Sequence, residues 1–239
     1  MPEADVVLDV RNVTAGYSNV PVITDVAIQA RKGKVTAVVG PNGAGKSTLM
    51  KAICGLIKCS SGSVLLNGAE VVNWAPERLV RSGLAYVPQV INIFPSLTVR
   101  ENLEMGGFIK KSGVQERIES IYRMFPDLKV ASKRPGGTLS GGQRQMLAMA
   151  RGLMVDPSIL LLDEPTAGLA PKYAASIWEH VEVVRSTGVG VLVVEQNTRR
   201  TLASADWAYV MVLGRNRLEG PGAQLLADPE VANLYIGKA

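Results

Sequence analysis

The chain has 239 residues, of which 47% are hydrophobic and 20% are charged, and this composition excludes an intrinsically disordered protein. No apolar run reaches the roughly 18 to 20 residues that cross a bilayer, and the start MPEADVV lacks the basic and apolar layout of a secretion signal. The net charge of +5 comes from basic residues that occur at most in pairs, whereas nucleic-acid-binding proteins concentrate them in a stripe or tail. We therefore expect a cytosolic globular protein with no nucleic-acid partner, which contacts a membrane only through other proteins.

Strands and helices are predicted to alternate along most of the chain. Apolar and polar residues alternate over the first 35 residues, which predicts antiparallel strands. Short apolar runs then predict strands at KVTAVVG (34–40), SVLLNG (63–68), LAYVP (84–88), ILLLD (159–163), VGVLVVE (189–195) and WAYVMVL (207–213). Leu49, Ala52, Ile53 and Leu56 recur at helical spacing and predict a helix after the strand at 34–40, which ends near Gly55 or Lys58. Helices are also predicted over the polar segment 98–126 with a break at 110–113, over 141–154 by periodicity and propensity, and over 171–187.

This order of elements predicts an α/β fold with a mainly parallel sheet covered by helices on both faces. The mostly helical middle segment, about 96–154, is expected to form a lobe beside a core made of about 1–95 and 155–239. Cys54 and Cys59 have neither the spacing nor the neighbours of metal ligands, so we predict reduced thiols.

A glycine-rich motif, GPNGAGKST, lies between the predicted strand 34–40 and the helix after it. It matches the pattern GxxxxGK[ST], in which glycines let several backbone N–H groups point at phosphate oxygens beside the positive end of the helix. Lys46 can then reach the β- and γ-phosphates, and Ser47 can ligate Mg²⁺. A glycine-rich turn without a ligand is the alternative interpretation. The predicted ATP-binding residues of the motif are Gly40, Pro41, Asn42, Gly43, Ala44, Gly45, Lys46, Ser47 and Thr48.

Two adjacent acids follow the apolar residues of ILLLDEP. The strand delivers Asp163 to its carboxyl end, where open α/β sheets bind ligands. We predict that Asp163 holds Mg²⁺, directly or through water, and that Glu164 polarises the attacking water as a general base. The alternative is an acid pair that only solvates the end of the strand.

The string LSGGQ places small residues and free N–H groups at the start of the predicted helix 141–154, which suits an anion. Because one nucleotide already has a phosphate loop, this second anion site is expected to serve a nucleotide held by another subunit. The residues predicted to contact the partner subunit's ATP are Leu139, Ser140, Gly141, Gly142 and Gln143.

With the phosphate loop, LSGGQ and the Asp163–Glu164 pair in this order, the chain resembles the ATP-binding cassette (ABC) ATPases over nearly its full length. The resemblance implies a P-loop NTPase with ATP and Mg²⁺ as cofactors, one cassette domain over 1–239, and an N-terminal antiparallel β part. It implies that two cassettes face head to tail, with each ATP between one phosphate loop and the other chain's LSGGQ. It also implies that Tyr17 stacks on adenine, for which an ordinary strand tyrosine is the alternative, and that Gln89 contacts Mg²⁺ and water. In this family the helical lobe receives segments of a transmembrane partner.

Two positions depart from the commonest ABC pattern. The strand tip VVEQN carries Gln196 where most cassettes have a histidine that contacts the γ-phosphate, and AGLAP carries Ala170 where many have an aspartate. Together with ENLEMGGF and the ending LLADPEVANLYIG, they make the chain similar to the F-type ATPase subunit of branched-chain amino acid importers. A carboxamide can donate a hydrogen bond to a γ-phosphate oxygen, as a neutral imidazole does. We therefore predict that Gln196 is catalytic along with Lys46 and Glu164; the alternative is an incidental strand-end amide.

The subgroup implies a second, different cassette, two transmembrane permeases and a solute-binding protein, at the cytoplasmic face of the plasma membrane. Urea and short-chain amide importers are similar to this subgroup, so the solute stays open, as does a homodimeric or heterodimeric arrangement. An export cassette would be expected to carry histidine at residue 196. DNA-repair cassettes insert long coiled coils between the phosphate loop and LSGGQ, for which this chain has no room.

Overall fold

The computed structural model describes residues 5–18, 20–90 and 92–236. The strands are β1 (Val6–Tyr17), β2 (Val20–Arg31), β3 (Val35–Val39), β4 (Cys59–Leu66), β5 (Ala69–Glu70), β6 (Leu84–Val87), β7 (Ile159–Asp163), β8 (Gly190–Glu195), β9 (Trp207–Val212) and β10 (Arg215–Gly220). The helices are α1 (Lys46–Ile53), α2 (Pro76–Arg81), α3 (Val99–Gly106), α4 (Val114–Met124), α5 (Pro126–Val130), α6 (Gly141–Leu153), α7 (Pro171–Ser186), α8 (Thr198–Ser204), α9 (Gly222–Ala227) and α10 (Pro229–Ile236). Within the described residues, no helix has both the length and the apolarity to span a bilayer.

The larger of the two sheets is the mainly parallel core that the apolar runs predict. Its strand order is β10-β9-β3-β8-β7-β6, and β10 runs antiparallel to β9 at one edge. Every residue of β3, β7 and β8 is buried, because α1 and the smaller sheet cover one face of this sheet and helices cover the other. Since neighbouring parallel strands end at the same edge of a sheet, the residues that follow β3, β7 and β8 meet there.

The smaller sheet is antiparallel, with the order β2-β1-β4-β5. The alternating residues at the start of the chain form β1 and β2, which pair with each other as predicted. Strand β4 begins at Cys59, earlier than the predicted 63–68, because its polar first residues pair with β1 through the backbone. Both cysteines of the chain are unpaired and buried.

Helix α1 lies between the two sheets and joins them into one hydrophobic cluster. Its apolar residues Leu49, Met50 and Ile53 are at most 2% exposed. Full burial of each such side chain contributes about 1.5 to 3 kcal/mol. The packing therefore fixes the axis of α1, and with it the loop that precedes the helix.

Helices α3 to α6 form the helical region that the sequence predicts. The predicted break at 110–113 is confirmed: α3 ends at Gly106, and Gly113, with φ +75, precedes α4. Apolar residues of these helices share a hydrophobic cluster with α7 and with the adjacent face of β7 and β8. The boundaries of the lobe, about 96–154, stay a prediction, and α3 to α6 all lie within them.

The single histidine of the chain, His180, lies on α7 where the helical region packs against it. Its ring meets the ring of Phe125 edge to face, with 5.5 Å between the centroids. Burial lowers the pKa of His180, and the carboxylates of Glu179 and Asp127 act in the opposite direction. The folded protein therefore holds His180 neutral at a pH where the unfolded chain already binds a proton.

We expect this histidine to make the free energy of unfolding depend on pH. Because the folded pKa of His180 lies below the unfolded value of about 6.5, its contribution is complete above the unfolded pKa and is lost as the pH falls from there through the folded pKa. Urea unfolding at about pH 7.5 and 5.5 should show a larger loss of stability for the wild type than for His180→Gln. Both proteins have the same carboxylates, so an equal loss in the two would contradict the assignment.

Candidate active site

The predicted phosphate loop leaves the end of β3 and enters α1, as its motif requires. Gly43 has φ +80 and Gly45, the N-cap of α1, has φ +95, in the left-handed region that favours glycine. A Cβ on Gly45 would lie 2.6 Å from Ile23 Cγ2, and a Cβ on Gly40 would lie 2.3 Å from the carbonyl oxygen of Met211. The loop therefore packs closely against β2 and β9, and only glycine at these two positions permits so close an approach.

We expect Gly45→Ala to abolish measurable ATP binding and to destabilise the protein. The left-handed backbone costs an alanine about 1 to 2 kcal/mol, and the contact with Ile23 adds an overpacking cost of about 1 to 3 kcal/mol. Gly68→Ala is the matched control, since Gly68 has φ +79 and open space around its Cβ position in the turn between β4 and β5. Nucleotide titration and urea unfolding measure both effects; equal stability losses in the two variants would contradict the packing argument.

Lys46 begins α1 and is only 5% exposed. Its Nζ donates to two carbonyl oxygens of the loop, those of Gly40 at 2.8 Å and Pro41 at 3.0 Å. Burial lowers the pKa of Lys46, and the carboxylate of Glu164, followed by two further carboxylates, opposes this. A buried cation that points into a loop of backbone groups fits a phosphate, which would supply the missing negative charge.

Asp163 ends β7 at the same edge of the sheet and is 4% exposed. Its Oδ1 accepts a hydrogen bond from Ser47 Oγ at 3.3 Å, and its Oδ2 accepts one from the Tyr86 hydroxyl at 3.1 Å. Burial raises the pKa of Asp163, and the hydrogen bonds from Tyr86 and Ser47 oppose this. A carboxylate and a hydroxyl oxygen this close are ligands that Mg²⁺ prefers, so these residues fit the predicted metal ion.

Glu164 is the residue on which the other predicted groups converge. Gln89 Nε2 donates to Glu164 Oε2 at 2.8 Å, and Gln196 Nε2 donates to both carboxylate oxygens, each at 2.8 Å. The bond from Gln89 uses its nitrogen, which leaves its amide oxygen available as a metal ligand. The structure thus brings Gln89 and Gln196 together on the predicted general base, and the contact of Gln196 with a γ-phosphate stays a prediction.

LSGGQ stands at the start of α6, where the sequence predicts it. The Ser140 side chain accepts a hydrogen bond from the backbone N–H of Gln143 at 3.3 Å, and Gln143 Oε1 accepts one from the backbone N–H of Ser140 at 3.0 Å. This capping box fixes the first turn of α6. Gly141 and Gly142 begin the helix and have no side chains that would cover their backbone N–H groups. Leu139 is only 3% exposed, so its side chain anchors the motif, and contact with a partner's ATP would fall to the residues after it.

Tyr17 and Ala170 are two further residues that were singled out in the sequence. Tyr17 ends β1 with 49% of its surface exposed, and Lys51 Nζ donates to its hydroxyl at 3.3 Å. Because Lys51 belongs to α1, this contact places an open aromatic ring beside the helix that follows the phosphate loop. Ala170 is the N-cap of α7 and supplies no side-chain cap, which an aspartate there would do.

Tyr86 is a site residue that the sequence analysis missed. It lies on β6 and reaches Asp163 only because β6 and β7 are neighbours in the sheet. A tyrosine on a short apolar strand is unremarkable by itself, and the strand order that gives it meaning cannot be read from the local pattern. The signal available in the sequence was its position three residues before Gln89.

Comparison with known proteins agrees with this geometry. The family model for ABC transporters matches residues 23–167, which is more than half of the chain. A probable branched-chain amino acid transport ATP-binding protein, LivF, of Archaeoglobus fulgidus is 44% identical, covering 93% of this chain and 95% of its own. The high-affinity branched-chain amino acid transport ATP-binding protein BraG of Pseudomonas aeruginosa is 42% identical, covering 94% and 97%.

A solved ATP-binding cassette of an ABC transporter in its ADP conformation has the same fold. It superimposes with a TM-score of 0.87 at 31% identity, covering 98% of this chain and 99% of that one. The predicted fold class is thereby confirmed, including the antiparallel β part and the parallel core. The chain belongs to the ABC transporter family as one of its nucleotide-binding ATPase cassettes.

Proposed function

We propose that the chain is the ATP-hydrolysing subunit of a membrane importer for branched-chain amino acids. The observation that carries ATP hydrolysis is the Glu164 carboxylate, which Gln89 and Gln196 hold at the strand edge beside the phosphate loop. The solute class is supported by the LivF and BraG relatives described above, each more than 40% identical to this chain and each named for branched-chain amino acid transport. Cassettes act on ATP and not on the solute, so no side chain of this site selects it.

In the proposed reaction, each side chain acts where the structure holds it. Lys46 binds the β- and γ-phosphates, because its buried ammonium points into the loop. The oxygen of the attacking water bonds to the γ-phosphorus as the bond to the β–γ bridging oxygen breaks and ADP leaves, and Glu164 takes the proton of the water. Gln196 Nε2 donates to both oxygens of Glu164 in the structure, and we propose that one of its two amide hydrogens turns to a γ-phosphate oxygen when ATP binds. Mg²⁺ held by Ser47, Asp163 and Gln89 would neutralise charge at the β- and γ-phosphate oxygens.

We further propose that Tyr17 stacks on the adenine and that LSGGQ serves the ATP of a second cassette. The exposed ring beside α1 and the capped helix start at Ser140 support these two roles. A helix that presents glycine N–H groups at its start attracts a phosphate. The head-to-tail pair that follows has two ATP sites, each built from both chains, and the second cassette is proposed to be a different chain.

A groove between the helical region and β6 is proposed to receive the permease. It encloses about 260 Å³ and is lined mainly by apolar residues, among them Val80, Ala85, Tyr86, Val87, Met105, Phe108, Ile109 and Val155. Phe108 is 74% exposed and Met105 is 46% exposed. Large apolar side chains that are exposed together in a groove indicate a surface that binds another protein. Since Tyr86 lines the groove and also donates to Asp163, a permease segment bound there would be separated from the proposed metal site by one side chain.

We propose that binding to the permeases holds the chain at the cytoplasmic face of the plasma membrane. A solute-binding protein would deliver the solute to the permeases at the opposite face.

We expect Phe108→Glu to lower recovery of permease subunits with this chain at least about tenfold, because a charge would be buried in an apolar contact. Val130→Glu is the control, since Val130 is 90% exposed on α5 in the same lobe and does not line the groove. Quantitative mass spectrometry after gentle membrane extraction gives the ratio of permease to cassette. Equal losses in the two variants would remove the groove as the docking surface.

The proposed function is tested by uptake in a strain that lacks the native copy of the chain. Wild type should restore uptake of labelled leucine, and Lys46→Ala should not, at equal protein abundance. Restored uptake of urea but not leucine would favour the alternative, an importer of urea or short-chain amides. Recovery of the chain only in the soluble fraction, alone or with ribosomes or DNA, would discard transport.

A further inference from the structure

A buried acid, Glu195, stands beside the proposed catalytic residues and has no role in the reaction described above. It ends β8 and is 2% exposed. Its Oε1 accepts two hydrogen bonds from Thr166, from the backbone N–H at 2.9 Å and from the hydroxyl at 2.7 Å. Its Oε2 accepts one from the backbone N–H of Gln196 at 3.1 Å. All three donors belong to the loops that carry Glu164 and its amide partner.

Thr166 belongs to a tight turn that begins at Glu164. The backbone N–H of Ala167 donates to the Glu164 carbonyl at 3.1 Å, with Pro165 at the second position of the turn. Glu164 itself has φ +48, a left-handed conformation that a non-glycine residue keeps only where its surroundings impose it. The Glu164 N–H donates to the Val194 carbonyl at 2.9 Å, which ties the near side of the turn to β8.

The far side of the turn is tied to β8 by Glu195, which accepts hydrogen bonds from both the N–H and the hydroxyl of Thr166. An oxygen of a carboxylate accepts two donors more strongly than a neutral group would. Without it, both the backbone N–H and the hydroxyl of the half-buried Thr166 would lose their acceptor, and the turn would lose the bonds that hold it against β8. The conformation that aims the Glu164 side chain at Gln89 and Gln196 would then relax.

We propose that Glu195 is a positioning residue for ATP hydrolysis, which fixes the turn at Thr166 and thereby aims Glu164 at the attacking water. The proposal rests on the proposed function, because it concerns the rate of the step that Glu164 carries out. Glu195 also contributes negative charge near Lys46, so an electrostatic role is the alternative that the test must separate. Glutamine at this position keeps an acceptor oxygen for Thr166, removes the charge and removes the acceptor of the Gln196 N–H.

The test measures steady-state ATP hydrolysis by the full chain, with wild type and Glu164→Gln as references. Displacing a catalytic group by about 1 Å can cost about 100-fold, so Glu195→Ala should lower kcat about 10- to 100-fold. The KM for ATP should stay within about threefold, since the phosphate loop is carried by other elements. Glu195→Gln should recover most of the rate, and Thr166→Val should lower kcat less than Glu195→Ala does.

Thr201→Val is the matched control, because the Thr201 hydroxyl is fully buried and donates to the Asn197 carbonyl at 2.7 Å. Like Thr166→Val, the Thr201→Val variant loses one hydrogen bond from a threonine hydroxyl, but this bond lies on α8. Its kcat should stay within about twofold of wild type. Combining Glu195→Ala with Thr166→Val should cost little more than Glu195→Ala alone, since both remove one interaction.

The outcomes separate the two proposals. If wild type does not hydrolyse ATP faster than Glu164→Gln, the proposed function fails. If wild type does so and Glu195→Ala keeps its kcat, the positioning role is wrong. It is also wrong if Glu195→Gln is as slow as Glu195→Ala, which would assign the effect to the charge or to the bond from Gln196 and not to Thr166. A loss of kcat in Thr201→Val as large as that in Thr166→Val would contradict it as well. Should Glu195→Ala fail to fold, the Glu195→Gln and Thr166→Val variants decide by the same criteria.

Discussion

Glu164→Gln is expected to lower the rate of ATP hydrolysis by about 100- to 10,000-fold, which is the usual contribution of a general base. Glutamine has nearly the size of glutamate and keeps one oxygen that can accept from Gln89 or Gln196, so the turn and its neighbours should stay in place. The side chain no longer takes a proton from water. ATP binding should be retained, because Lys46 and the phosphate loop are unchanged.

Two measurements and one control make this prediction specific. Release of phosphate gives the rate, and titration with ATP gives the affinity; a head-to-tail pair that hydrolysis would otherwise open should accumulate when ATP is added. Glu182→Gln is the control, because it makes the same chemical change on the exposed face of α7. A rate within threefold of wild type, or a loss of ATP binding as large as the loss of rate, would show that Glu164 is not the base.

Most of the parallel core could be predicted because its strands are continuous apolar runs. The residues of β3, β7 and β8 are buried on both faces, and a strand of that kind is visible in the sequence without any partner. Strand β10 was not predicted, because RNRLEG is a sheet-edge strand whose exposed positions carry charges. Its pairing with β9 depends on the fold and leaves no apolar run to detect.

In the candidate site, too, the local motifs could be predicted from the sequence and the contacts between distant residues could not. The phosphate loop and LSGGQ are contiguous, so the backbone conformation and the ligand-facing atoms are encoded within a few residues. The contacts on Glu164 and Asp163 are not local, since Gln196 lies 32 residues from Glu164 and Tyr86 lies 77 residues from Asp163 along the chain. They depend on the order β8-β7-β6 in the sheet, which the alternation of strands and helices leaves undetermined.

Gln196→Ala is expected to lower hydrolysis about 10- to 1000-fold, the range for loss of a donor that acts in the transition state. Two interactions of the amide could account for this loss of rate. The amide donates to Glu164 in the structure, and it is proposed to donate to a γ-phosphate oxygen as well. The Glu164→Gln background separates them. If Gln196 acts only through the base, adding Gln196→Ala there should leave the residual rate and the ATP affinity unchanged. A further loss of ATP affinity relative to ADP would measure the contact with the γ-phosphate.

Gln196→His tests why a carboxamide suffices at this strand tip. A neutral imidazole donates one hydrogen bond, so the rate near pH 8 should stay within about tenfold of wild type. The Glu164 carboxylate would favour the charged imidazole, which in turn makes Glu164 a weaker base. The rate of this variant should therefore fall as the pH is lowered through the imidazole pKa, and the wild type, with an amide that does not titrate, should lack that step. A wild-type rate that falls in the same window would show that another group titrates there, and an unchanged rate for Gln196→Ala would leave the amide without a catalytic role.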